Sequence, residues 1–264
     1  MKNYIRRFLQ IFGYDISKHS NFEYGKNFKQ KSPDSRYDYY ETPNGNYFFP
    51  KNLKSDFVAN IMKKGEVFDK VILEAAKPYI KPGTAILDVG ANYGQMSIEF
   101  AKISNDVVVY SFDAQKMIFE ILEKNIECNN IKNVKLFYNA VYDTDNVEFI
   151  FPEPDLVRFS SYGSYGIDLK AQKGVPVKSL TIDSLNIDIP ISFMKIDIQG
   201  SDLAAMRGAV NTIAKYKMPI IFEYEEQFQQ EFNTTFQDYV DFVDSIGYKF
   251  LKTIQEINYL IVPK

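Results

Sequence analysis

The chain has 264 residues, 45% hydrophobic and 25% charged, which is typical of a globular protein large enough to bury a substantial core. Its 31 basic and 34 acidic residues give a net charge of −3 without a long cationic run, from which we expect no nucleic-acid partner. One cysteine, Cys128, and one histidine, His19, exclude an internal disulfide and a Cys/His zinc site, so no metal is predicted.

The N-terminal segment MKNYIRRFLQIFGY is basic and apolar, which predicts a short helix that docks on its own domain or rests on a membrane face. No apolar run approaches the roughly 18 residues of a membrane span, so we expect a cytoplasmic protein without stable membrane insertion. A polar loop follows over 15–36, and Pro43-Asn44-Gly45 then separates two aromatic runs, which predicts a β-hairpin. Residues 1–55 are therefore predicted to form an N-terminal helix, a polar loop and a β-hairpin cap.

Residues 56–264 are predicted to form the main domain. From Asp56 to Tyr79 the apolar spacing predicts two helices that are separated at Gly65. Short apolar strands then alternate with helical stretches, which is typical of βαβ units and predicts a doubly wound α/β fold with a mostly parallel sheet. In chain order these elements are TAILDV, a helix near Gly94 to Ile103, VVVYSF, a helix near Lys116 to Asn129, VKLFY, ISFMKI, a helix from about Ser201 to Tyr216, PIIFEY, a helix near Phe236 to Ile246, and a closing hairpin of YKFLKT and INYLIVP.

Residues 147–180 interrupt this alternation with a Ser/Tyr/Gly stretch between two short apolar runs. We interpret them as a β insertion and a possible substrate lid, in which Tyr162, Gly163 and Tyr165 could close over the acceptor. A mobile loop without a function explains the pattern equally well.

The run AILDVGANYGQMS predicts a cofactor loop, because a buried strand ends at Asp88 and Gly90, Ala91, Asn92 and Gly94 lead directly into a helix. Glycines at this place let the backbone turn and approach a ligand, while the start of the helix offers free N–H donors. The spacing Gly-x-x-x-Gly lacks the middle glycine of a pyrophosphate-binding loop and disfavours a dinucleotide. The sequence therefore favours a nucleoside-like cofactor without phosphates.

Two further positions follow the next strands. Asp113 ends the second strand about 20 residues beyond the glycine loop, where a carboxylate can accept hydrogen bonds from ribose hydroxyls, with Ala114 beside it. Asn139 and Ala140 follow the third strand, at a position that would touch an adenine ring.

These residues resemble the FkbM family of class I S-adenosylmethionine-dependent methyltransferases. The resemblance runs from about Phe68 to Gly247 and rests on DVGANYG, VYSFD, NAV, VPVKSLTIDSL, FMKIDIQGSD and IIFEYE. It implies S-adenosylmethionine as cofactor and a seven-stranded, Rossmann-like sheet whose last strand is antiparallel. Where the family usually has glutamate, this chain has Asp113 and Gln199; the second change removes a charge beside the presumed reaction centre.

Candidates for the chemistry lie at the ends of later strands. Asp197 ends the fourth strand next to the topological switch point, and Lys195 should point to the same side of the sheet. Glu223 ends the fifth strand and offers a second carboxylate. A Lys195–Asp197 pair could orient an acceptor or be a structural salt bridge. His19 lies in the polar N-terminal segment and is a weak candidate for a base.

We therefore expect an O-methyltransferase that acts on a small-molecule acceptor, a sugar or glycan precursor, as the family resemblance implies. Alternatives are an N-methyltransferase, a methylating enzyme for a lipid or secondary metabolite, and a non-catalytic cofactor-binding module of the same fold. A Rossmann dehydrogenase is disfavoured by the spacing of the glycine loop.

Overall fold

The computed structural model describes residues 27–53, 55–154 and 161–264. The predicted N-terminal helix, His19 and the first part of the Ser/Tyr/Gly stretch lie outside the described residues.

An antiparallel sheet precedes the main domain. Its strands are β1 (Lys29–Gln30), β2 (Tyr37–Thr42) and β3 (Gly45–Pro50). Thr42 pairs with Gly45 across the predicted turn at Pro43 and Asn44. Gly45 has a φ of +146°, a conformation that favours glycine.

The helices and strands of the main domain follow the predicted alternation. The helices are α1 (Phe57–Lys63), α2 (Lys70–Ala76), α3 (Gln95–Ile103), α4 (Lys116–Cys128), α5 (Asp202–Arg207), α6 (Val210–Tyr216), α7 (Glu226–Phe232) and α8 (Phe236–Ser245). The strands are β4 (Ala85–Val89), β5 (Val108–Asp113), β6 (Val134–Tyr138), β7 (Ala140–Val141), β8 (Glu148–Pro152), β9 (Gly174–Leu180), β10 (Ile191–Ile196), β11 (Ile220–Glu223), β12 (Tyr248–Ile254) and β13 (Asn258–Pro263).

The predicted seven-stranded sheet is confirmed, with strand order β12-β13-β11-β10-β4-β5-β6. The neighbouring strands β11, β10, β4, β5 and β6 are parallel to one another. Strand β13 runs antiparallel to both of its neighbours, β11 and β12. Helices cover both faces of the sheet: Ile86 and Phe193 pack with residues of α2 and α3, while Leu87 and Met194 pack on the other face with residues of α5, α6 and α8. Strands β7, β9 and β8 form a small separate sheet within residues 140–180.

One predicted helix is two helices in the structure. The helix expected over about Ser201 to Tyr216 is interrupted between α5 and α6, where Gly208 packs so closely on Tyr142 that a Cβ would lie 2.0 Å from its carbonyl oxygen. The Asp183 carboxylate then accepts hydrogen bonds from two N–H groups of α6 and starts a new helix. Helix α7, between β11 and α8, was not predicted.

Within the described part of the chain, no helix is both long and apolar enough to cross a bilayer.

Candidate functional site

The candidate site lies where the chain changes direction across the sheet. After β4 the chain adds β5 and β6 on one side, and it returns to pair β10 with β4 on the other. The loops that follow β4 and β10 therefore meet at the topological switch point, where sheets of this kind bind ligands. Gly90 has a φ of +84°, and a Cβ there would lie 1.9 Å from the carbonyl oxygen of Asp197, so this loop contact requires glycine.

A cleft of about 620 Å³, here called the first cleft, opens at this end of the sheet. It brings together six of the nine predicted cofactor-binding residues, which are Gly90, Asn92, Asp113, Ala114, Asn139 and Ala140. Its walls also include apolar side chains such as Phe112, Ile118 and Ile167. A concave site that combines apolar walls with a few polar groups is typical of a cofactor site.

Asp113 shapes the loop that it faces. Its two carboxylate oxygens accept hydrogen bonds from the backbone N–H groups of Asn92 and Gln115, each at 2.9 Å. Burial raises the pKa of Asp113 to about 7, although the two N–H donors and Lys195 favour its ionised form. An ionised carboxylate has about four lone-pair positions, so Asp113 can still accept from a ligand.

Of the other three predicted cofactor residues, Ala91 lines a neighbouring cleft, and Asp88 and Gly94 line neither cleft. Asp88 is fully buried; it accepts a hydrogen bond from Ser97 Oγ at 2.5 Å, and its other oxygen lies 3.9 Å from Lys195 Nζ. Gly94, with a φ of +85°, is needed because a Cβ would lie 2.4 Å from Leu122 Cδ1. Asp88 and Gly94 therefore support the loop through contacts inside the protein. A direct contact of either residue with the cofactor stays a prediction.

The three predicted catalytic residues lie together with Gln199 in one chain of hydrogen bonds. Lys195 Nζ donates to Asp197 Oδ2 at 3.2 Å. Gln199 Nε2 donates to Asp197 Oδ1 at 2.9 Å and to Glu223 Oε2 at 2.7 Å. Gln199 thus bridges two carboxylates, which an ionised glutamate could not do because it has no proton to donate.

Burial and neighbouring charges shift the ionisation of this group. Burial disfavours the Lys195 ammonium, but the carboxylates of Asp197, Asp88 and Asp69 outweigh it and raise the pKa of Lys195. Burial, with the charge of Asp197, raises the pKa of Glu223 well above its ordinary value.

Two smaller clefts adjoin the first. The second cleft, of about 380 Å³, has Ala91, Lys195, Asp197, Asp69 and Phe68 among its lining residues. The third cleft, of about 430 Å³, has four carboxylates and two phenylalanine rings among its walls: Asp69, Asp197, Glu223, Glu225, Phe57 and Phe68.

Sequence reasoning missed Asp69, Glu225 and Asp202. Burial raises the pKa of each to about 7, and the charge of Asp197 adds to the effect. Asp202 is fully buried and accepts a hydrogen bond from the backbone N–H of Glu223 at 3.2 Å. Glu225 lies two residues after the end of β11, a position that could have indicated a site residue. Asp69 lies in a linker between two helices, where the sequence carries no such signal.

Asp56 was also missed, and it ties three segments together. Its Oδ2 atom accepts hydrogen bonds from Tyr162 N at 2.8 Å, Ser161 Oγ at 3.1 Å and Tyr93 OH at 3.2 Å. Its Oδ1 atom accepts from Ala59 N at 2.7 Å and so caps α1. The side chain is fully buried, which makes these four donors its compensation for lost hydration.

The residues after 160 lie over the first cleft. Tyr162, Gly163 and Tyr165 are among its walls. A Cβ on Gly163 would lie 2.5 Å from Asn92 Nδ2, so this segment rests directly on the cofactor loop. Whether it opens and closes as a lid stays a prediction.

The protein-family model described as "Methyltransferase FkbM domain" matches residues 88–250 of this chain. The chain belongs to the FkbM methyltransferase family. Membership confirms the predicted family and fold, and the cofactor of this fold is S-adenosylmethionine.

Among curated proteins, the chain is 34% identical over 68 residues to a ribosomal protein L11 methyltransferase from Thermoanaerobacter sp. (strain X514). The match covers 26% of this chain and 22% of the relative's length. The FkbM chain therefore spans about a fifth of the length of the curated relatives that it matches.

Solved structures share the fold at low identity. A methyltransferase FkbM from Methylobacillus flagellatus KT is 15% identical, with a TM-score of 0.45, and the similarity covers 78% of this chain and 52% of that one. A putative rRNA methylase from Clostridium thermocellum is 11% identical, with a TM-score of 0.46, covering 73% of this chain and 93% of that one.

The prediction that nucleic acid is not a partner is contradicted by this similarity, because several of the similar structures are, by name, rRNA or tRNA methylases. The prediction used a net charge of −3 for the whole chain. A summed charge does not describe the local field of one binding face, so it cannot exclude a class of partner.

The residues of the site fit S-adenosylmethionine. Asn92 Oδ1 is buried at the first cleft without a hydrogen-bond partner among the described residues, and so is open to a donor of the ligand. The cofactor also carries positive charge on its sulfonium and ammonium groups, which matches the carboxylates that line the clefts. Among residues 27–53, 55–154 and 161–264, no group of three His, Cys, Asp or Glu side chains could hold a metal ion.

Proposed function

We propose that this FkbM protein transfers a methyl group from S-adenosylmethionine to a hydroxyl group of a sugar or glycan precursor. The observation that carries the proposal is the third cleft, which joins phenylalanine rings to several carboxylates directly beside Asp197. Apolar rings suit the C–H faces of a sugar, and carboxylates accept hydrogen bonds from its hydroxyl groups.

The first cleft would hold the cofactor. Asp113 would accept hydrogen bonds from the ribose hydroxyls, and Asn139 and Ala140 would contact the adenine ring. Gly90 and Asn92 would lie against the remainder, with Ala91, Asp88 and Gly94 fixing the loop. When bound, S-adenosylmethionine supplies a methyl group on a positively charged sulfur, so the protein mainly has to position the acceptor.

Asp197 would hold the acceptor. Its carboxylate is fixed from both sides, by Lys195 Nζ at 3.2 Å and by Gln199 Nε2 at 2.9 Å. A carboxylate oriented in this way can accept the proton of an acceptor hydroxyl, a contribution of about 10²- to 10⁴-fold in rate. Glu223, held by the same amide, would be the second carboxylate.

The remaining assignments complete the proposal. Residues 1–55 would cap a methyltransferase domain that spans 56–264, and residues 147–180 would cover the acceptor. A cytoplasmic location also stays a prediction.

The test measures transfer of labelled methyl groups to a panel of sugars by wild type and Asp197→Asn. We expect the variant to be slower by about 10²- to 10⁴-fold, because it loses the carboxylate that accepts the proton of the acceptor hydroxyl. Asp197 also lines the first cleft, so affinity for S-adenosylhomocysteine is measured in parallel, and the loss in rate should exceed any loss in this affinity. Asp106→Asn is the matched control, since Asp106 is exposed at the opposite edge of the sheet, before β5. Equal rates for wild type and Asp197→Asn would contradict the role of Asp197.

A second candidate, N-methylation of an amine, is favoured by the negative charge of the same cleft. A neutral amine is a stronger nucleophile than a hydroxyl and needs less help from a base, so Asp197→Asn would then have a mild effect. A panel that pairs each sugar with its amino derivative distinguishes the two functions.

A further inference from the structure

Asp69 is the N-cap residue directly before helix α2, but its side chain does not cap the helix. Its carbonyl oxygen accepts hydrogen bonds from Ile72 N at 2.9 Å and Leu73 N at 3.2 Å, while its carboxylate bonds to no N–H of the helix. Its φ of +53° lies in the left-handed region, which residues other than glycine adopt rarely. This backbone conformation leaves the side chain in the wall of the second and third clefts.

The Asp69 carboxylate is buried but incompletely satisfied. The residue is 8% exposed, and its Oδ1 atom has no hydrogen-bond partner among the described residues. Buried polar atoms in folded proteins nearly always have a partner, and a buried carboxylate without one is strongly unfavourable. An unpaired oxygen on a cleft wall therefore indicates a donor that arrives with a ligand.

No described Lys, Arg or His side chain forms an ion pair with this carboxylate, and Lys195 acts on it only as a nearby charge. Among the described residues that line the second and third clefts, Lys195 is the one cation, against the carboxylates of Asp69, Asp197, Glu223 and Glu225. Its Nζ is already 3.2 Å from Asp197 Oδ2 and 3.9 Å from Asp88 Oδ1. The excess of negative charge favours a positively charged ligand group over a neutral hydroxyl.

We infer that Asp69 is a binding residue for an ammonium group, which it receives in the space shared by the second and third clefts. An ammonium group supplies both the positive charge and the N–H donors that Oδ1 lacks, and the ring of Phe68 in both cleft walls favours a cation as well. The ammonium group belongs either to the amino-acid part of the cofactor or to an amino group of the acceptor. The inference rests on the proposed cofactor site, but not on the proposed hydroxyl acceptor, and Asp69 lies outside the family match at residues 88–250.

The first test is calorimetric titration with two nucleosides that differ in the ammonium group. S-adenosylhomocysteine carries it, whereas 5′-deoxy-5′-methylthioadenosine lacks the whole amino-acid part. If the cofactor is the source, Asp69→Asn should bind S-adenosylhomocysteine about 10- to 100-fold more weakly and methylthioadenosine as wild type does. Asp106→Asn should bind both as wild type does, and thermal midpoints report that each variant is folded.

The second test identifies an acceptor as the source. D-glucosamine and D-glucose are titrated into protein saturated with S-adenosylhomocysteine. Binding of glucosamine but not glucose by wild type, lost in Asp69→Asn, would support an amino group on the acceptor.

Two results would overturn the role of Asp69. One is a folded Asp69→Asn variant that binds all four compounds as wild type does. The other is stabilisation of wild type by Mg²⁺ that Asp69→Asn loses, since this would identify a metal ligand instead. Failure of wild type to bind either nucleoside would contradict the cofactor site itself, a separate outcome.

Discussion

Replacement of Gly90 by alanine tests the contact between the loops that follow β4 and β10. A Cβ at this position would lie 1.9 Å from the carbonyl oxygen of Asp197 and 2.9 Å from its carbonyl carbon. Gly83 offers a matched control because it has a similar φ, +75° against +84°, and a Cβ there would meet nothing within 4 Å. Gly83→Ala therefore measures the conformational cost alone, and Gly90→Ala adds the overlap.

The expected magnitudes follow from these two environments. An alanine with positive φ costs about 1–2 kcal/mol, so Gly83→Ala should lower the melting temperature by about 2–8 °C. Gly90→Ala must also separate two backbone segments by about 1 Å, and overpacking of this kind costs about 1–3 kcal/mol more. We expect its total loss of unfolding free energy to be about 2–5 kcal/mol.

Denaturant titration and calorimetry measure the two consequences. The free energy of unfolding should fall further in Gly90→Ala than in Gly83→Ala. Affinity for S-adenosylhomocysteine should fall at least about 10-fold in Gly90→Ala only, since the displaced loop carries Asn92. Equal stability and equal affinity of the two variants would refute the reasoning.

Three further predictions concern buried carboxylates. Asp113→Ala should weaken binding of S-adenosylhomocysteine at least about 10-fold in calorimetry, because it removes both the proposed ribose contact and the acceptor for two loop N–H groups; unchanged affinity would contradict the assignment. Asp56→Asn should speed amide hydrogen exchange of residues 161–164 relative to the sheet, because it weakens the acceptor of their hydrogen bonds; equal exchange in both proteins would speak against this tie. Burial raises the pKa of Asp113, Asp202 and Glu225 to about 7, above their unfolded values of 3.8, 3.8 and 4.5, so the native state without ligand binds extra protons between these limits. Its unfolding free energy should therefore fall as pH rises from about 5 to 8, and a higher melting temperature at pH 8 would contradict the sign.

The sheet could be predicted because its strands carry their own signals. Strand β4 is a short, mostly apolar run that contains Asp88 and leads into a glycine loop, and VKLFY became β6 with the predicted bounds. Such patterns are local, since burial on both faces demands consecutive apolar residues. The helical pattern of residues 201–216 continued through Gly208, so the break between α5 and α6 could not be predicted. That break depends on the contact of Gly208 with the carbonyl oxygen of Tyr142, which is distant in the sequence.

The site could be predicted only where it follows a strand. Asp113, Asp197 and Glu223 were found because the carboxyl ends of parallel strands meet at one edge of the sheet. Asp56 and Asp69 lie before the first strand of that sheet. Only the folded chain brings Asp69 to the walls of two clefts and Asp56 to the cleft residues Ser161 and Tyr162. The net charge could not exclude a class of partner, because it sums over faces that a partner does not touch.

The hairpin of β2 and β3 bears on any attempt to graft this site onto another protein. Asn125 of α4 accepts a hydrogen bond from Phe48 N at 2.6 Å and donates to Tyr93 O at 2.8 Å, so one side chain joins the hairpin to the cofactor loop. Phe49 packs edge-on against the Tyr93 ring at 5.2 Å. A chimera that transplants only the family-matched residues would leave the loop without this support, so the transferable unit includes the hairpin.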